Sequence, residues 1–185
     1  INDLIGIRQE DQEVFALTHQ LVLDLAADER VAGFRVDHID GLRDPAQYLA
    51  RLRTALDEAT AGSETRPVVV VEKILEPGED LPPSWSTAGT TGYEALALID
   101  RVLVDPRGED GLTALDARLR GSTTSWPDLV RSSKRALAEG ILHSEVRRIA
   151  RELAAELDVD PTREWREPVE AVLVELFEAF PVYRS

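Results

Sequence analysis

The chain has 185 residues, 43% of them apolar and 30% charged, with a formal net charge of −14 at pH 7, proportions that allow one buried core, or a core with an appendage, and exclude a disordered chain. The negative balance argues against nucleic acid and anionic membrane as partners, since both are bound by clustered Lys and Arg, and it favours a neutral substrate. No apolar run approaches the roughly 20 residues of a membrane span, and the absence of cysteine excludes a disulfide framework or a thiolate metal site and fits a cytoplasmic protein.

Residues 1–10 read as irregular, and Asp11 is placed to cap a helix. Val14, Leu17, Leu21, Val22 and Leu25 recur at helical spacing, predicting that helix from Asp11 to Arg30. Val31 to Val36 reads as a buried strand. Asp44-Pro45 is a helix start, with Asp as the cap and Pro at the first helical position, and Tyr48, Leu49, Leu52 and Leu56 give that helix an apolar face. A polar loop over 61–66 leads to Pro67 and then to Val68-Val69-Val70-Val71, the signature of a strand buried on both faces. Helix, strand, helix, strand in about 60 residues is the rhythm of a parallel sheet with crossover helices. The carboxyl ends of the two strands, at Asp37 and Glu72, are therefore expected on one edge.

Beyond Glu72, the Pro, Gly, Ser and Thr of Glu76 to Gly92 suggest a long ordered loop. Arg101 to Val104 is the one further candidate strand, and residues 109–120 are helix-like. Ser125-Trp126-Pro127-Asp128 opens a long helix through Leu129, Leu137, Ile141, Val146, Ile149, Leu153 and Leu157, with Gly140 as its weak point. After Pro161-Thr162, Val169, Val172, Leu173, Leu176, Phe177 and Phe180 form one wide apolar stripe. The fold class expected is α/β, a partial (β/α) barrel segment with few parallel strands over 1–92, followed by a mostly helical subdomain over 93–185.

Asp37 and Glu72, at the ends of adjacent strands, form a candidate carboxylate pair. Two carboxylates about 5–5.5 Å apart break a glycosidic bond with retention, one as nucleophile and one as general acid/base. Arg35 shares a strand face with Asp37 by period-2 alternation and can keep it ionised and aimed. The plain alternative is a surface Arg–Asp ion pair with Glu72 exposed. His38 and Asp40 lie close by, but their spacing matches no zinc or calcium pattern. His19 and His143 read as structural or solvated. Trp85 and Tyr93, flanking the Gly/Thr-rich loop, suit either sugar stacking or core packing. Lys73 is expected on the other side of the strand from Glu72, as a support.

These residues carry a resemblance. Gly33 to His38 (GFRVDH) resembles the nucleophile motif of the α-amylase superfamily of retaining (β/α)8-barrel enzymes, and Val71-Glu72 its acid/base motif. Within it, several segments are similar to the maltooligosyltrehalose synthase family: Arg35 to Leu42 (RVDHIDGL), Asp44-Pro45 with Tyr48-Leu49, Val71 to Leu75 (VEKIL), Gly78-Glu79, Trp85, Gly89 to Tyr93 (GTTGY), Phe180 to Arg184 (FPVYR), and Ile1 to Leu4 with Gly6 to Arg8. The resemblance implies an intramolecular transglucosylase of trehalose biosynthesis, with Asp37 as nucleophile, Glu72 as acid/base and Arg35 as aligner. It implies His38, Asp40, Lys73, Trp85 and Tyr93 as substrate-binding side chains, a maltooligosaccharide or α-glucan substrate, and no cofactor or metal. Water must be kept from the intermediate, a task expected of the Glu76 to Tyr93 loop and the helical part.

A third catalytic carboxylate and an early Asp/Asn/His segment, both used by the family, are not found. With Ile1 as the first residue and no Met anywhere, the chain is expected to be an inactive internal segment whose partner is the remainder of the barrel. Two other readings stand beside this one. One is an amylase-type hydrolase using the same carboxylates, which would create reducing ends rather than remove them. The other is a helical interaction module in which the two carboxyls are surface charges, well beyond about 10 Å apart and outside any glycosidase spacing.

Overall fold

The structure, a computed structural model, describes residues 6–182. The Ile1 to Leu4 motif and the end of the Phe180 to Arg184 motif lie outside the described residues. The chain divides into two compact units, one running through Val104 and the other from Asp105 to Pro181.

In the first unit, helix α1 (Gln12–Ala27) leads to strand β1 (Gly33–Val36), helix α2 (Pro45–Ala59) and strand β2 (Val68–Val71). Asp11 caps α1 by accepting from the Glu13 and Val14 amides, and Asp44 caps α2 through Gln47 N with Pro45 at the helix start, as the sequence predicts. The first helix ends at Ala27 rather than Arg30 because the backbone turns left-handed at Glu29 (φ 54°). The strands pair in parallel, Gly33 opposite Val68 and Val36 opposite Val71.

Phe15, Ala26, Leu49, Leu52, Leu56, Val69 and Val71 form one buried core, with Phe34 and Val36 packed against it. A two-sided burial of β2 is not what forms. Val69 and Val71 meet the helices, whereas Val68 is 52% exposed and Val70 half-buried. Arg35 pairs opposite Val70, and its side chain is exposed. One face of the sheet is thus covered and the other open. Between α1 and α2, His19 is buried rather than solvated. Its ring stacks on Phe15, and Nδ1 lies 2.9 Å from Phe15 O while Nε2 lies 2.8 Å from Tyr48 Oη. A carbonyl only accepts, so Nδ1 carries the hydrogen and Nε2 accepts from the phenol.

The Glu76 to Gly92 segment is not wholly loop. It contributes a two-residue strand β3 (Gly89–Thr90) that pairs in parallel with β2, in the order β1-β2-β3. Arg101 to Val104 is not a strand. Its first three residues end helix α3 (Tyr93–Leu103), which Gly92 opens in a left-handed conformation (φ 93°) and which stops before Asp105-Pro106, where proline disfavours helix in the residue it follows.

The second unit holds α4 (Glu109–Arg120), α5 (Trp126–Glu139), α6 (His143–Glu156) and α7 (Arg163–Ala179). The single long helix expected from Trp126 to Leu157 is broken at Gly140, whose φ of −100° and ψ of −109° leave the helical region. A Cβ there would sit 2.7 Å from the Ala136 carbonyl. α7 packs against α5 and α6, but its buried face is displaced from the expected stripe. Glu170 and Val174 are buried, whereas Val172 and Leu176 are more than half exposed. Glu170 is held by Arg166 at 3.0 Å, with Arg147 and His143 at 3.8 and 3.7 Å.

Candidate active site

Parallel pairing sets the two strand ends side by side: the Glu72 amide donates to Val36 O at 2.8 Å, so Asp37 and Glu72 leave the same edge. Arg35 Nη2 lies 2.7 Å from Asp37 Oδ1 and 3.5 Å from Glu72 Oε1. The two carboxylate oxygens can be no further apart than the sum of those distances, 6.2 Å. That bound, on the Asp37 Oδ1 and Glu72 Oε1 pair, is compatible with the about 5–5.5 Å of a retaining pair. The separation beyond about 10 Å expected of unrelated surface charges does not occur.

Glu72 is gripped from three sides. Oε2 accepts from the His38 main-chain amide at 3.0 Å, and Oε1 accepts from the Tyr93 phenol at 3.1 Å beside Arg35. The His38 amide first, then the Tyr93 hydroxyl and the positive charge of Arg35, hold the Glu72 carboxyl below its ordinary range; the carboxylate in turn raises the Tyr93 phenol. A general acid needs the opposite, a carboxyl raised toward neutrality.

His38 reaches Glu72 through its backbone because it adopts φ 55° and ψ 39° at the head of the short turn Ile39–Gly41. Its ring lies over Gly41, where a Cβ would fall 2.3 Å from Cδ2, which is why glycine stands at that spacing. His38 and Asp40 line a small cleft of about 100 Å³ with Glu72 and Ile74. On the other side, Arg35, Tyr93, Thr91, Gly92 and Leu96 line a wide cleft of about 430 Å³. Of the remaining candidates, Trp85 is not at this edge. Trp85 packs against the core and lines a separate cleft with Pro67 and Val68, at the start of β2. Lys73 has 1% of its side chain exposed and pairs with Glu79 at 2.8 Å. Among the described residues no group of three or more His, Cys, Asp or Glu is set to hold a metal, and no helix is long and apolar enough to cross a membrane.

Three contacts escape the sequence reading: the bridge from Arg35 to Glu72, the donation by the His38 backbone, and the action of Tyr93 through its hydroxyl rather than its ring. The signals were Gly41, three residues after His38, and Gly92 immediately before Tyr93.

Two carboxylates within that bound at the carboxyl edge of a parallel sheet are compatible with the spacing of retaining glycosidic chemistry. Known proteins make this particular. No family model matches the chain. It is 41% identical over 160 residues to a protein named "Putative maltooligosyl trehalose synthase" from Mycobacterium tuberculosis, a match covering 86% of this chain and 20% of that protein. Among solved structures, maltooligosyltrehalose synthase from Arthrobacter ramosus is 47% identical with a TM-score of 0.84, covering 100% of this chain and 22% of that one. The DSM5389 glycosyltrehalose synthase is 31% identical, with a TM-score of 0.78 over 100% of this chain. The chain is therefore similar, end to end, to a segment of maltooligosyltrehalose synthase, and spans about a fifth of the length of the relatives it matches.

Proposed function

We propose that this chain is the nucleophile and acid/base segment of an intramolecular transglucosylase that converts the reducing-end α-1,4 bond of a maltooligosaccharide into an α,α-1,1 bond. The observation that carries the proposal is the Arg35 guanidinium reaching both Asp37 and Glu72. Asp37 Oδ attacks the anomeric carbon of the penultimate glucose, and the bond to the O4 of the terminal glucose breaks as Glu72 gives that oxygen its proton. A glucosyl ester on Asp37 and a free glucose result. The glucose turns, and its own anomeric hydroxyl attacks the ester carbon while the Glu72 carboxylate takes the hydroxyl proton. Asp37 leaves as carboxylate and Glu72 ends protonated, ready for the next turnover.

Arg35, 2.7 Å from Asp37 Oδ1, aims that carboxylate, and His38, Asp40 and Tyr93 stand where a sugar beside Glu72 would be met. Trp85 and Lys73 act from a distance: Trp85 holds the Glu76 to Tyr93 segment to the core, and Lys73 fixes the chain after Glu72. The remaining strands of a (β/α)8 barrel would cover the open face of the sheet, lengthen β3 and exclude water. They would also supply the negative charge or burial that raises Glu72 into the acid range. Asp37, whose side chain is 67% exposed, would in this chain leave a glucosyl ester open to hydrolysis, so the isolated segment is inactive or at most hydrolytic. The cytoplasmic placement read from the composition belongs to the same proposal.

The test is product analysis of the full-length enzyme on maltopentaose. Loss of reducing ends without release of glucose, abolished by Asp37→Asn, is the expected result. A gain of reducing ends would make the enzyme an amylase-type hydrolase instead.

A further inference from the structure

We infer that Tyr93 is a positioning residue for Glu72, and that Oε1 is the oxygen through which Glu72 exchanges its proton, an assignment that rests on reading Glu72 as the acid/base. The two carboxylate oxygens are not equivalent. Oε2 faces the His38 amide, a donor fixed by the left-handed backbone of that residue and unable to accept. The hydroxyl oxygen of a carboxylic acid accepts more weakly than its carbonyl oxygen. The protonated side chain therefore keeps Oε2 as the carbonyl and carries its hydrogen on Oε1.

Oε1 faces Tyr93 Oη at 3.1 Å and Arg35 at 3.5 Å. A guanidinium offers hydrogens only and opposes a protonated neighbour. A phenol serves both states, donating its hydrogen to the carboxylate and turning its lone pairs to the acid. Tyr93 can hold Oε1 through both halves of a proton-transfer cycle, leaving Arg35 to Asp37, which it approaches more closely.

The phenol and the carboxylate also share one frame. Tyr93 opens α3 directly after Gly92, whose amide donates to Thr90 Oγ1 at 3.0 Å. Thr90 belongs to β3, and the next amide, Thr91 N, donates to Val71 O at 2.9 Å, one residue before Glu72. The two side chains are thus aimed from adjacent strand ends, and a change of one oxygen atom is enough to separate them.

Tyr93→Phe removes that oxygen and keeps the ring. In ¹³C-carboxyl NMR of the chain, the Glu72 titration midpoint is expected to rise toward that of an ordinary glutamate in Y93F, with the amide spectrum of the strands unchanged. In the reciprocal variant Glu72→Gln, the Tyr93 phenol is expected to titrate lower, toward ordinary tyrosine. In the full-length enzyme, Y93F is expected to lose roughly 10- to 100-fold in kcat, the scale of a misaimed group, with KM little changed. A Glu72 midpoint that does not move in Y93F, or a phenol that does not move in E72Q, overturns the assignment. Moved midpoints with an intact kcat in Y93F uphold the Tyr93 contact and overturn its positioning role, whereas an intact kcat in full-length E72Q overturns the acid/base reading of Glu72 on which the assignment rests.

Discussion

The ammonium of Lys73 lies 2.8 Å from Glu79 Oε1, with 1% of the lysine side chain and 16% of the glutamate exposed. The same ammonium donates to Ile74 O, and Glu79 Oε2 accepts from the Glu76 amide. Burial pushes the Glu79 carboxyl up, but the Glu76 amide and Lys73 outweigh it and hold it below the ordinary range. The pair ties residues 73–79 into a closed turn immediately after Glu72.

Breaking a buried pair from one side leaves the other charge without compensation, which costs about 3–5 kcal/mol when fully buried. Glu79 retains some water, so Lys73→Met is expected to cost about 2–3 kcal/mol, read as a lowered urea midpoint. The double variant K73M/E79Q is expected to regain part of that loss. A loss under about 0.5 kcal/mol would place the pair in the class of solvated ion pairs.

Gly33 is required by its neighbour strand. A Cβ at this position would lie 2.5 Å from the Val68 carbonyl oxygen and 3.1 Å from Val68 Cβ, and a backbone oxygen cannot rotate aside. Gly33→Ala is expected to cost about 1–3 kcal/mol through overpacking and to lower the hydrogen-exchange protection of the Val68 amide, which donates to Ala32 O. Gly108→Ala, with no atom within 4 Å of the added carbon, is the control and is expected to leave stability level or slightly higher.

Besides Glu72 and Glu79, two groups give the first unit separate windows of acid response. Burial lowers the His19 imidazole from its ordinary 6.5, so in the window just below 6.5 the unfolded chain binds the proton and the folded chain does not. Stability is full above 6.5 and falls as pH drops through the depressed folded value. Asp57 is held at about 2, against an ordinary 3.8, by hydrogen bonds from Arg66 and then Arg53. Its contribution is present above 3.8 and is lost as pH falls through about 2. Urea midpoints measured from pH 7 to pH 2 are expected to decline in these two windows. His19→Phe flattens the first and Asp57→Asn the second; a decline that both variants leave intact would assign it to other groups.

What the sequence made legible was whatever local chemistry dictates. Asp11 and Asp44 are caps with one acceptor in reach of free amides, and four valines after a proline have few alternatives to a strand. From two parallel strands the shared edge of Asp37 and Glu72 results by geometry alone. What stayed hidden depends on long-range closure. β3 has two residues and no pattern of its own, and it is a strand because the exposed edge of β2 offers it partners. Arg101 to Val104 is β-prone in isolation, yet it continues a helix begun eight residues earlier at Tyr93. Along α7 the apolar stripe and the buried face part company because Glu170, with Arg147, Arg166 and His143 around it, takes a place that periodicity reserves for an apolar residue. The Tyr93 hydroxyl belongs to the same class: the ring is visible in a sequence, but its 3.1 Å approach to Glu72 needs the sheet.

The one-sided packing of the small sheet separates two kinds of selection. Phe34, Val36, Val69 and Val71 answer to the helices, while Arg35, and after it Asp37, stand on the open side as the proposed substrate-facing set, and the two sets alternate along the same strands. Engineering can exploit that alternation. Changes to the α1 and α2 interface adjust how firmly the strands are held without replacing any group that would touch sugar. A library confined to the open face samples chemistry on a scaffold whose cohesion it leaves intact.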